Sequence, residues 1–92
     1  MSSIRNLYLD HVAQTSEMSM CIEVSHAAGV YIFGPNNKKY LDFNSGISVS
    51  SLGHSHPAVV DAVKKQAETY MHTMVYGEHI QLPQVQYATL LS

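Results

Sequence analysis

The stretch from Tyr40 to Pro57, YLDFNSGISVSSLGHSHP, gathers the residues of this chain whose types and spacing allow chemistry. It holds a carboxylate (Asp42), two imidazoles (His54 and His56), a run of serines and two glycines (Gly46 and Gly53). The pair His54-x-His56, with Asp42 or His72, has the donor types for a metal. Zinc, however, takes three or four ligands in a tetrahedron, and side chains two residues apart converge only where the backbone turns. No Cys-x-x-Cys or His-Glu-x-x-His accompanies the pair. The competing reading makes Gly53-His54 a chain turn and Ser55-His56-Pro57 a helix start, with the imidazoles donating hydrogen bonds to loop carbonyls. The expectation is therefore no bound metal. A stand-alone interaction or metal-binding module built on His54 and His56 is the alternative.

Nucleophilic serine chemistry needs a base within reach and a turn such as Gly-x-Ser-x-Gly. Asn44-Ser45-Gly46 and Ser48 to Ser51 show no such frame, so those hydroxyls are expected to satisfy loop backbone. Asp42 follows two bulky residues and precedes Phe43. It is expected to hydrogen-bond the loop at Gly46, a structural role shared with Gly53, His54, His56 and Pro57. Gly46 and Gly53 read as positions of positive φ or close backbone approach, which suits a ligand, a partner chain or a plain loop. Cys21 reads as a small core or interface residue. Tyr76-Gly77-Glu78 places an aromatic and an acid on a loop. No phosphate-binding glycine loop and no paired carboxylates are present.

The elements that must position these residues follow from hydrophobic spacing. Ser2 or Ser3 caps a short helix bearing Ile4, Leu7 and Tyr8. Met20 to Val24 alternates, with Met20, Ile22 and Val24 on one face, and reads as a half-buried strand ended by Ala28-Gly29. Val30 to Phe33 and Lys39 to Asn44 read as two more strands. The turn Gly34-Pro35-Asn36-Asn37 joins them, because proline fixes φ and asparagine tolerates the left-handed region. The result is a three-stranded antiparallel meander. Pro57 suits a first helical position, capped by Ser55 or His56. Val59, Val60, Val63, Ala67, Tyr70 and Met71 then recur at helical spacing, with Asp61–Lys65 and Lys64–Glu68 at pairing distance. Gly77 marks a tight point in an irregular stretch, and Gln84 to Leu91 begins a last helix.

Composition narrows the class. The 92 residues are 46% hydrophobic and 13% charged, with net charge −2. The charged fraction is about half the usual ~25%, which predicts that other protein covers part of the surface. Five Lys plus Arg make no nucleic-acid footprint. One cysteine excludes an internal disulfide and suits a reducing compartment. No apolar run approaches a signal peptide or a membrane span. The expectation is a cytoplasmic protein that binds neither nucleic acid nor membrane. The last helical pattern ends at Ser92 without a stop signal, which reads as a fragment of a longer protein.

One resemblance draws these residues together. GVYIFGPNNKKYLDFNSGISVSSLGHSHPAVVDAVKKQAETYMHTMVYGE resembles the N-terminal portion of the class III, pyridoxal-phosphate-dependent aminotransferases, which include the acetylornithine, ornithine and 4-aminobutyrate enzymes. The likeness runs through Gly29 to Phe33, Lys39 to Phe43, Ser45-Gly46-Ile47, Gly53 to Pro57 and Gln66 to Thr73, and spans roughly Met20 to Leu91. One departure stands in the first turn, where Asn37 occupies the place of a left-handed glycine.

The resemblance implies an α+β piece of a fold type I α/β transferase. Residues 1–19 would form a helix and connector. Residues 20–92 would form the start of the small domain and lead toward an absent large cofactor-binding domain. It implies a homodimer that moves an amino group from an amine or ω-amino acid to a 2-oxo acid. Ser45, Gly46 and Ile47 would line the substrate pocket. An apolar Ile47 resembles the 4-aminobutyrate and acetylornithine types more than the ornithine type. Val75, Tyr76, Gly77 and Glu78 would reach the neighbouring subunit's site. The catalytic lysine, and with it the anchor of the pyridoxal 5'-phosphate, would lie downstream, which leaves this segment with no catalytic residue and no activity of its own.

Overall fold

The computed structural model describes residues 3–74 and 76–92, so Ser2 and Val75 lie outside the described residues. Two compact units divide between Val59 and Val60.

In the first unit, Ser3 caps the helix Ile4–His11 by accepting the Asn6 N–H at 3.1 Å. Three short strands follow: β1 (His26–Ala28), β2 (Tyr31–Phe33) and β3 (Lys39–Leu41). They form an antiparallel sheet in the order β1-β2-β3, with Ala27 opposite Ile32 and Ile32 opposite Tyr40. The bond from Asp42 N–H to the Val30 carbonyl (2.8 Å) extends the β2–β3 pairing by one step. The Pro35–Asn37 turn between β2 and β3 puts Asn36 and Asn37 both at φ 58. That is the left-handed conformation asparagine accepts at low cost. Cross-strand rings finish the sheet: His26 stacks on Phe33 at 4.6 Å, and the Lys39 ammonium sits 3.8 Å from the Tyr31 ring centroid.

The strand expected over Met20 to Val24 is absent; the first strand begins at His26. The backbone there is claimed by side chains. Ser19 Oγ accepts the Cys21 N–H (3.2 Å), Arg5 donates to the Cys21 carbonyl (3.2 Å), and Cys21 sits at φ 50, which breaks the extended run. The alternation survives with its faces exchanged. Cys21 and Glu23 are half-buried, while Met20, Ile22 and Val24 face outward.

The long helix Pro57–Thr69 opens at a proline. His56 Nδ1 accepts the Ala58 N–H at 3.2 Å, which makes His56 its capping side chain. Of the two expected ion pairs only Lys65–Asp61 forms (3.0 Å); Lys64 and Glu68 do not pair. In the second unit, Gln81 donates to the Met74 carbonyl (3.1 Å), and the helix Leu82–Leu91 begins beside Pro83.

Among the described residues no hydrophobic side chain is buried. The chain exposes 8380 Å², whereas two separate compact globules of these lengths would together expose roughly 6,300 Å². The excess of about 2,000 Å² is the size of a substantial protein–protein interface. The low charge content agrees, because the uncovered surface is apolar: Val59, Val63, Leu82 and Leu90 are all exposed.

One prediction follows from that surface. The isolated 92-residue polypeptide should self-associate and bind a hydrophobic dye, giving a light-scattering mass well above 10.2 kDa. A monodisperse monomer would contradict it.

Candidate functional site

The loop that leaves β3 at Asp42 returns to the sheet at His54, and it is tied at that return twice. His54 exchanges backbone hydrogen bonds with Gly29 (N–H to carbonyl 2.8 Å, carbonyl from N–H 3.0 Å). Its ring Nε2 meets Asp42 Oδ2 at 2.5 Å. Ser55 adds a bond from its hydroxyl to the Ala27 carbonyl (2.9 Å). Gly53 makes this return possible. Its φ is +84°, and a Cβ there would stand 3.1 Å from the Gly29 carbonyl oxygen. Both facts disfavour any side chain there.

Asp42 also holds the start of the loop. Its Oδ1 accepts the N–H groups of Asn44 (3.0 Å) and Ser45 (2.9 Å). The carboxylate is only 7% exposed and the imidazole 20%. The His54 hydrogen bond, then the Ser45 and Asn44 N–H groups, holds the Asp42 carboxyl below the usual carboxylate range, against an opposing push from desolvation.

Beyond this anchor the chain turns left-handed. Ser45, Gly46, Ile47 and Ser48 have φ of 50, 59, 65 and 64. Bonds from Ser48 N–H to the Asn44 carbonyl (2.9 Å) and from Val49 N–H to the Ser45 carbonyl (2.6 Å) close the turn. Left-handed backbone costs roughly 1–2 kcal/mol for each residue with a Cβ, and Gly46 alone escapes. A β-branched residue such as Ile47 is especially out of place there. Such strain persists only where the surroundings impose it, and it gathers at functional positions. Ile47 is 86% and Phe43 91% exposed.

The other sequence-marked residues fall elsewhere. Tyr76 and Gly77 (φ 65 and 74) and Glu78 lie exposed in the second unit, while Val75 lies outside the described residues. Neither imidazole of the histidine pair donates to a loop carbonyl as expected: His54 takes the Asp42 carboxylate, and His56 accepts a helix N–H. Among the described residues no group of three His, Cys, Asp or Glu side chains is arranged to hold a metal. All four lysines are exposed. Lys38 and Lys39 lie over tyrosine rings, and Lys65 pairs with Asp61. A lysine that bonds a carbonyl cofactor is activated by desolvation or by a neighbouring cation, so these residues do not fit a pyridoxal-phosphate anchor. A cleft of about 980 Å³ between the first helix and residues 16–25 is lined in part by Cys21 and by no residue of the 42–57 loop or of Tyr76 to Glu78. Sequence reasoning placed positive φ at Gly46 and Gly53, as found, and missed its extension to Ser45, Ile47 and Ser48.

Comparison with known proteins places this geometry in a family. The model for "Aminotransferase class-III" matches residues 12–91. Acetylornithine aminotransferase of Methanocaldococcus jannaschii is 46% identical over 63 residues, covering 68% of this chain and 15% of that protein. Among solved structures, taurine:2-oxoglutarate aminotransferase from Bifidobacterium kashiwanohense, in complex with PLP and glutamate, aligns with TM-score 0.83 and 27% identity over 96% of this chain and 20% of its own. Acetylornithine aminotransferase from Elizabethkingia anophelis aligns with TM-score 0.80 and 29% identity, over 96% of this chain and 23% of its own. The chain thus spans less than a quarter of the length of each of these proteins.

Two outcomes test the loop in the full-length protein. Gly53→Ala should lose about 1–3 kcal/mol of stability, read as a lowered Tm; an unchanged Tm would contradict the close approach. The Asp42 anchor has a defined pH sense. A depressed folded-state pKa stabilises above the unfolded carboxylate value near ~4, and that stability is lost as pH falls through the folded value. Amide-exchange protection factors at Asn44 and Ser45 should hold from pH 7 to 5 and drop once Asp42 protonates below about pH 4.

Proposed function

The chain belongs to the class-III aminotransferases, and from that premise we propose that the full-length protein transfers an amino group from an amine or ω-amino acid to a 2-oxo acid with pyridoxal phosphate. The observation that carries this is the family match over residues 12–91, joined to a sheet and loop that align with solved aminotransferases. Residues 20–92 then belong to the small domain. The cofactor's covalent partner is a lysine outside these 92 residues, because the four present are all exposed.

Within this reading the chain supplies a wall of the substrate pocket. Ser45 and Ile47 project from the left-handed turn, and Gly46 lets the donor approach the backbone. An apolar Ile47 favours a donor whose second amine is acylated or missing over a free diamine, since an ammonium group against isoleucine loses its hydration without a partner. Acetylornithine is the first candidate, in keeping with the curated relatives. The exposed apolar faces of the first and last helices and the Val59–Val63 surface meet the large domain and a second subunit of a homodimer. The loop at Tyr76, Gly77 and Glu78 reaches the neighbouring site. The single thiol, Cys21, suits the cytoplasm.

The test is a visible absorbance scan of the purified full-length protein, followed by a donor panel of acetylornithine, 4-aminobutyrate, taurine and ornithine with 2-oxoglutarate. A lysine-bound pyridoxal chromophore, bleached by acetylornithine more readily than by ornithine, is expected. The isolated 92-residue piece should show neither colour nor turnover. Ile47→Ala should raise KM for the preferred donor by roughly tenfold, the worth of one lost apolar contact. A full-length protein that binds no pyridoxal phosphate would overturn the proposal.

A further inference from the structure

We propose that Asp42, held by His54, is a positioning residue that sets amine-donor selectivity by fixing the attitude of Ile47; this rests on the reading above that Ile47 faces the donor. The left-handed turn from Ser45 to Ser48 is costly. Three of its four residues carry a Cβ and pay for the conformation. No packing holds it, because Phe43, Ile47, Val49 and Leu52 are all exposed. Among the described residues, the only side-chain hydrogen bonds onto its backbone come from Asp42, to Asn44 and Ser45.

Asp42 is itself fixed. Its second oxygen is engaged by His54, and His54 is bonded through both its backbone groups to Gly29 at the edge of the sheet. Position therefore passes from sheet to His54, from His54 to Asp42, from Asp42 to the Ser45 N–H, and then two residues along a stiff turn to Ile47. A loop tip that carries an exposed apolar side chain, and whose strained turn is gripped by one shielded carboxylate tied to the sheet, takes its precision from that carboxylate. Asp42 touches no reacting atom in this scheme. It decides where a binding surface stands.

The test is a double-mutant cycle on selectivity in the full-length holoenzyme, taken as the ratio of kcat/KM for acetylornithine over ornithine. Asp42→Ala should lower the ratio at least tenfold, through KM of the favoured donor rather than kcat, with the cofactor absorbance retained. Asp42→Asn keeps an oxygen for both N–H groups and should recover most of the selectivity. His54→Gln should fall between the two, and it serves as the readout if Asp42→Ala does not fold. In an Ile47→Ala background, Asp42→Ala should add less than twofold, because both changes act on one contact. Additive losses in the cycle, or a ratio within twofold of wild type for Asp42→Ala and His54→Gln alike, would overturn the inference. Failure of the functional reading looks different: wild type would then transaminate neither donor, or Ile47→Ala would leave the ratio unmoved, and either result removes the premise along with the inference.

Discussion

Asp42 accepts two backbone N–H groups with one oxygen and the His54 ring with the other, and the loop between β3 and the long helix keeps its shape through that carboxylate. A carboxylate shielded to 7% exposure loses hydration and must recover it from fixed donors. Here the donors are the first N–H groups of a strained turn and an imidazole bonded to the sheet. One side chain thereby solves two problems: its own desolvation, and the cost of left-handed backbone at Ser45, Ile47 and Ser48.

The rest of the chain is arranged around that closure. The meander is short, at three residues a strand, and it gains its rigidity from cross-strand rings and from the Gly29–His54 bridge. Gly53 admits the bridge because it carries no Cβ. His56 then caps the long helix. Two histidines two residues apart thus do different work, one on a carboxylate and one on a helix end.

The apolar surface explains why so little is buried. Among the described residues no apolar side chain is enclosed, and the accessible area exceeds that of compact globules of these lengths by about an interface's worth. Hydrophobic burial is the main favourable term in folding, and by themselves these elements supply little of it. Met20, Ile22 and Val24 are exposed as well, along the cleft beside the first helix.

Periodicity and turn chemistry are local properties, and the sequence by itself determined the features that depend on them. These are the Ser3 cap, the asparagine turn, the meander over β2 and β3, the helix from Pro57 and the helix beside Pro83. The family was legible too, in the ordered run from Gly29 to Thr73. Tertiary structure alone decided the features that need a distant partner. Met20 to Val24 had a strand's alternation, but Ser19 and Arg5 took the backbone groups of Cys21, which turns to φ 50, and pairing began at His26. His54 had every local reason to bond a carbonyl, and a carboxylate twelve residues back took it instead. In Ser-Gly-Ile-Ser only the glycine announces left-handed backbone; at Ser45, Ile47 and Ser48 that conformation is unfavourable residue by residue, and a shielded side chain bonded to the sheet grips the first amides.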